Sequence, residues 1–193
     1  MLNISTTDSG LFKIEKDGVA IFRKRKPNLR WDKIWLEKAE SYSRLTRCLT
    51  RGAGSVIVKD YRFDISGGFN GPPMGTKHPE ERYPECAGVC PRRHFGYGSG
   101  EGLWICTCGH AERSAVAIAA RNGQATEDKT MYLYTNPPVL PCLECATVII
   151  QAGISEFVVD TDQSYQDKDH AVDILELFKE ANILVRRPLM EEF

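Results

Sequence analysis

The chain is short of long apolar runs, of excess charge of either sign and of a paired cysteine set. No run of 18 apolar residues occurs among its 193, so nothing in it reads as a membrane-spanning helix. The opening, Met1 to Gly10, is polar and lacks the apolar core of a secretion signal. Lysine and arginine total 25 against 26 aspartate and glutamate, a net charge of −1. Sequence-independent binding to a phosphate backbone needs a basic excess, and there is none. A small substrate is therefore expected, with no nucleic-acid or membrane partner. Seven cysteines make an odd set with metal-like spacings. They point to a reducing, cytoplasmic setting and to metal binding instead of a disulfide framework.

What is present centres on two short stretches. The first is Cys108-Gly109-His110-Ala111-Glu112; the second is Pro141-Cys142-Leu143-Glu144-Cys145. His110, Cys142 and Cys145 supply one imidazole and two thiolates, a suitable donor set for tetrahedral Zn²⁺ with one position left open. Zinc in such a site lowers the pKa of bound water to about 7. Glu112, two residues past the histidine, is placed to move the proton. The competing reading is a closed structural zinc site with Glu112 as a surface residue, but such a site needs a fourth protein ligand.

Patterning around these stretches gives the elements. Residues 11–26 hold two β-prone runs flanking Asp17-Gly18, a two-residue hairpin turn. The run Arg23 to Lys26 reads as a solvated strand end or as a binding patch. Residues 1–30 are thus an N-terminal extension, and 31–190 the main domain. Trp35, Ala39, Tyr42, Leu45 and Leu49 recur at helical spacing, with Asp32 as the expected N-cap and Gly52 and Gly54 as the stop. Strands are expected at 55–58 and 62–66. Gly67 to Gly75 then reads as a loop, either a close approach to a ligand or a plain turn. Helices from His110, from Cys142 and over 169–182 alternate with strands at 131–135, 156–159 and 183–185. The order predicts an α/β chain: a three-layer α/β/α domain with a five-stranded mixed sheet.

Residues 76–105 form a polar, glycine-rich insertion, 76–108 with the cysteines that close it. A stretch this long without periodicity needs something to hold it. A second, structural zinc is one answer, drawing on Cys86, Cys90, His94, Cys106 and Cys108. Free thiols and a surface histidine are the other.

On these motifs the chain resembles the zinc-dependent cytidine/deoxycytidylate deaminases. The resemblance rests on the two metal stretches and on four others: Trp31-Asp32 through Cys48 to Gly54–Asp60, Gly68 to Gly75, Ala119 to Gly123, and Ile149 to Ile154. It runs from about Trp31 to Val185, broken over the insertion. It implies a cytidine-deaminase-like fold and hydrolytic deamination of dCMP to dUMP with release of ammonia. It also implies that Asn70 meets the sugar, the Ala111 N–H the base carbonyl and the Leu140 carbonyl the exocyclic amine. Tyr165 would lie near the ring or at the rim of the pocket. Cys48 matches a cysteine that joins a second zinc in some members. Homohexamers are common in the family, as is control by dCTP, here with Mg²⁺, and Arg121 reads as a subunit or effector contact or as a surface arginine. Two departures sit near the pocket: Arg113-Ser114 where Leu-Asn is usual, and a longer approach, Asn136 to Leu140. They open the alternatives of a 5-substituted cytosine nucleotide or another phosphorylation state. A deaminase of single strands and a silent nucleotide-binding regulator remain as rivals, the first needing a basic groove.

Overall fold

The computed structural model describes residues 1–161 and 172–189. It opens with three antiparallel strands, β1 (Asn3–Thr6), β2 (Phe12–Lys16) and β3 (Val19–Arg23). Asp17 and Gly18 turn the chain between β2 and β3 with φ of 52° and 83°, the pair of positive values that a tight hairpin needs. The sequence reading contains only those two strands. The third, β1, pairs with β2 from Asn3↔Glu15 to Thr6↔Phe12, but it is short, polar and mostly exposed. Such a strand carries no period-two signal.

Helix α1 (Leu29–Ser43) is capped by Asn28, whose side chain accepts from the Trp31 N–H at 3.1 Å. Asp32 is not the cap. It lies in the first turn, fully buried, and its carboxylate is committed to other partners. The helix also stops at Ser43, short of Leu49. Gly54 belongs to the next strand, where a Cβ would lie 1.9 Å from the Ala39 carbonyl oxygen. The glycine lets α1 press onto the sheet and does not end the helix.

Strands β4 (Ala53–Lys59) and β5 (Phe63–Phe69) form an antiparallel pair. Gly67, Gly68 and Phe69, expected in a loop, are the end of β5. Within the insertion are two single-turn helices, α2 (Pro79–Arg82) and α3 (Pro91–His94), and 3-10 turns at Pro84–Cys86 and Leu103–Ile105. The rest follows as α4 (Ala111–Arg121), β6 (Thr130–Thr135), α5 (Leu143–Gln151), β7 (Glu156–Val158), α6 (Ile174–Glu180) and β8 (Leu184–Arg186). The sheet runs β5-β4-β6-β7-β8, with β4 antiparallel to both neighbours and β6, β7 and β8 parallel. Among the described residues no helix is long and apolar enough to cross a membrane.

Alternation along the central strands divides the core. Ile57, Met131, Leu133 and Phe157 face α4, α5 and α6; Val56, Val58, Tyr132 and Val158 face α1. The α/β/α expectation is met, with one addition. The N-terminal sheet shares the α1 side, placing Ile14, Val19 and Ile21 against Tyr61 and Leu184.

A buried polar network ties these parts together. Arg186 donates to Asp32 at 2.6 and 2.9 Å and to Glu156 at 2.6 Å. Glu156 also takes the Tyr61 hydroxyl, the Thr130 hydroxyl at 3.0 Å and the charge of Arg23 at 3.7 Å. Asp32 accepts from the Tyr132 hydroxyl at 2.7 Å. Breaking a buried pair from one side leaves a charge unmatched, at a cost of about 3–5 kcal/mol. Arg186→Met should lose stability on that scale in urea unfolding; a loss no greater than that of an exposed substitution would contradict the network's structural role.

Candidate active site

Two helix starts meet at the ends of the parallel strands. His110 is the N-cap residue of α4 and Cys142 that of α5. The first is held by a close approach. A Cβ at Gly68 on β5 would lie 2.4 Å from both the Ala111 oxygen and the Ala115 nitrogen, so only glycine admits α4 this near. Ser66, two residues back on the same face, donates its hydroxyl to the Ala115 carbonyl at 2.6 Å. Gly71 and Gly109 exchange backbone hydrogen bonds of 3.1 and 2.8 Å, fixing the residue before His110. On the other side the Val139 N–H donates to the Thr135 hydroxyl at 3.0 Å, shaping the approach to Cys142.

The result is a compact donor set. Among the described residues, His110, Cys142 and Cys145 are the group whose ligand atoms lie within 4.8 Å of one another. Both sulfurs stand 3.3 Å from His110 Nδ1. Nitrogen and sulfur in a tetrahedral zinc site, at bond lengths of about 2.1 and 2.3 Å, would be about 3.6 Å apart. The three donors therefore fit zinc with a few tenths of an ångström of adjustment. The three groups perturb one another's protonation. The Cys142 thiol is held down to about 4, first by the Cys145 thiol and then by His110. Cys145 is pushed up as that hydrogen bond's donor, and His110 is raised by Cys142. Metal binding would displace these protons.

Glu112 is buried beside the group, within hydrogen-bonding reach of Cys145. Burial, above all, holds its carboxyl above the ordinary range. Ala111, directly after His110, and Leu140, two residues before Cys142, are both buried. First-turn N–H groups such as that of Ala111 have no partner within their helix. Asn70 is buried too, but its amide holds the protein's own backbone. Its Oδ1 accepts from the Ala53 N–H at 2.8 Å, with the Thr46 hydroxyl also 2.8 Å away, and its Nδ2 donates to the Arg51 carbonyl. Asn70 thus braces the strand end that carries Gly71. Tyr165 lies outside the described residues. Arg121 is exposed at the end of α4, with Met74 Sδ 3.5 Å from its guanidinium.

The other sulfurs divide. Cys48, Cys90, Cys106 and Cys108 line one cavity of about 10 Å³ beside Pro79, Pro91 and Ile105. Cys108 hydrogen-bonds both Cys48 and Cys106 and is pushed up by them; in return Cys48 falls to about 4 and Cys106 to about 6. His94 stacks edge-on against Phe95 at 5.1 Å, and Cys86 is buried without lining that cavity. Sequence reasoning missed Thr46, Ser66 and the packing role of Gly68. A glycine pair closing a strand is the one signal that could have found the last.

A family model describing the cytidine and deoxycytidylate deaminase zinc-binding region matches residues 29–161. The chain is 34% identical over 157 residues to a deoxycytidylate deaminase of Saccharomyces cerevisiae, covering 81% of this chain and 44% of that protein. Against the Schizosaccharomyces pombe deoxycytidylate deaminase the identity is 33% over 146 residues, 76% of this chain and 41% of the other. The chain thus spans less than half the length of these fungal relatives. The human deoxycytidylate deaminase is 28% identical, over 86% of this chain and 83% of its own. In fold, the chain superposes on the dCMP deaminase of cyanophage S-TIM5 in complex with dCMP and dUMP with a TM-score of 0.62 at 18% identity, covering 84% of this chain and 99% of that one.

The burial of Glu112 has a consequence for the metal-free protein. Its folded-state pKa is raised, so the folded chain holds that proton more tightly than the unfolded chain. The stabilisation is complete at acid pH and lost as pH rises through the folded value. Metal-free Glu112→Gln should therefore exceed wild type in urea midpoint toward neutral pH, with the advantage shrinking as pH falls. An advantage independent of pH would contradict this.

Proposed function

The chain belongs to the cytidine and deoxycytidylate deaminase family, and from that premise we propose that it hydrolyses dCMP to dUMP and ammonia. The observation that carries the reading is the donor group His110, Cys142 and Cys145 with a buried carboxyl, Glu112, against it. These three residues would hold zinc, which when bound supplies a Lewis acid that makes water nucleophilic near neutral pH. The chain's own groups do the rest. Glu112 takes a proton from the attacking water, delivers it to N3 of the ring, and later helps the amine leave from C4. The Ala111 N–H, at the positive end of α4, holds the base carbonyl, and the Leu140 carbonyl accepts from the exocyclic amine. Asn70 meets the sugar with whatever donor capacity its backbone contacts leave.

A second, structural zinc belongs to this reading, drawing on Cys48, Cys90, Cys106 and Cys108, which line one cavity without all lying within 4.8 Å of one another. The site would join the insertion to the loop before β4 and to Gly109-His110. From the family resemblance alone, the reading also includes a homohexamer, dCTP with Mg²⁺ as effector, Arg121 near a subunit or effector contact, Tyr165 near the base, and a cytoplasmic setting.

Two measurements test it. Glu112→Ala should keep its zinc and lose dCMP turnover by about 10²–10⁴-fold, the range for a general acid–base group; full activity would remove Glu112 from the reaction. Metal analysis should find two zinc ions per chain, falling to one in Cys90→Ser. A single zinc in the unaltered protein would contradict the second site.

A further inference from the structure

We propose that a cavity beside α1 is a binding site for a small organic cation with an apolar body, of the aralkylamine class. The cavity measures about 380 Å³. Small-molecule sites run from about 300 to 1,000 Å³ and are mostly apolar, with a few polar groups that orient the ligand. One wall is a single stripe of α1, in which Leu29, Lys33, Leu36, Glu37 and Glu40 follow one another at helical spacing. The stripe lies beside the face that α1 buries with Asp32, Trp35 and Ala39. The end of β6 and the turn after it form the facing wall, through Tyr134 and Pro138. The donor group His110, Cys142 and Cys145 belongs to α4 and α5, which pack on the other face of the sheet. The cavity is therefore separate from it.

The lining decides what the cavity can take. Leu29, Leu36, Tyr134 and Pro138 offer apolar contact to a flat or aliphatic body. The charged groups are three carboxylates, Glu37, Glu40 and Asp160, against one ammonium, Lys33. Glu40 is matched by Arg44 at 2.8 Å. Among the described residues Lys33, Glu37 and Asp160 take part in no ion pair. Two unpaired carboxylates thus face one ammonium across an apolar space. That excess attracts a cation and repels the phosphates of a nucleotide, so the cavity is not a second nucleotide site. An ammonium head can donate charge-assisted hydrogen bonds to Glu37 or Asp160 while its body lies on the leucines.

The test is calorimetric binding to the full chain of three probes that share one body: phenethylamine, 2-phenylethanol and 3-phenylpropionate. The amine should bind at one per chain and about 10-fold more tightly than the alcohol, the effect of one hydrogen bond to a charged group. The acid should not bind. Glu37→Gln combined with Asp160→Asn, both at exposed positions, should bring the amine down to the level of the alcohol. Leu36→Trp fills the space and should abolish binding of both. An acid bound as tightly as the amine, unchanged affinity in the double variant, or no uptake of the amine in the millimolar range would overturn the proposal. Amine binding that disappears as the protein is concentrated, with self-association in sedimentation, would show a second copy covering the cavity and would overturn it too. None of these readouts depends on zinc or on turnover, so their failure leaves the reading of dCMP hydrolysis standing.

Discussion

Three donor atoms from two separate helices must come within 4.8 Å, and the architecture can be read from that demand. Each helix start brings its donor side chains toward the same point at the ends of the parallel strands. The approach of α4 is set by Gly68, since any larger residue would drive its Cβ into the Ala111 and Ala115 backbone. The Gly71–Gly109 exchange then fixes the residue before His110, and Asn70 and Thr46 brace the strand end from which Gly71 departs. The site is therefore a product of backbone packing first and of side-chain chemistry second.

On the opposite face of the sheet the chain joins its parts by buried charge as well as by apolar contact. Arg186 joins the last strand to α1 and to β7, and Arg23 brings the N-terminal sheet to the same glutamate. Two basic and two acidic groups balance within the core, with two tyrosine hydroxyls completing the hydrogen bonds. The N-terminal sheet is thus connected to the α/β/α layers through buried polar contacts as well as through Ile14, Val19 and Ile21.

Much of this was legible beforehand, and the reasons are physical. The alternation of apolar strands with helical patterns gave the α/β order, and His-x-Glu with Pro-Cys-x-x-Cys gave the donor set, because local spacing dictates both. Long-range partners were not legible. Asp32 looked like a cap because aspartate often is one; its true partners, Tyr132 and Arg186, lie 100 and 154 residues away. Gly54 and Gly68 looked like breakers because local sequence does not say that a helix backbone passes over them. The six candidate ligands for a second metal could not be sorted by spacing, whereas the fold places Cys48 in the same cavity as Cys90, Cys106 and Cys108.

The central claim is best tested by incubating the zinc-loaded protein with dCMP, CMP, dCTP, deoxycytidine, 5-methyl-dCMP and a cytosine-containing single strand, and following ammonia release. Preferred turnover of dCMP to dUMP is the result this account predicts. Turnover of the strand alone, or silence toward every cytosine compound in protein that holds its zinc, would contradict it.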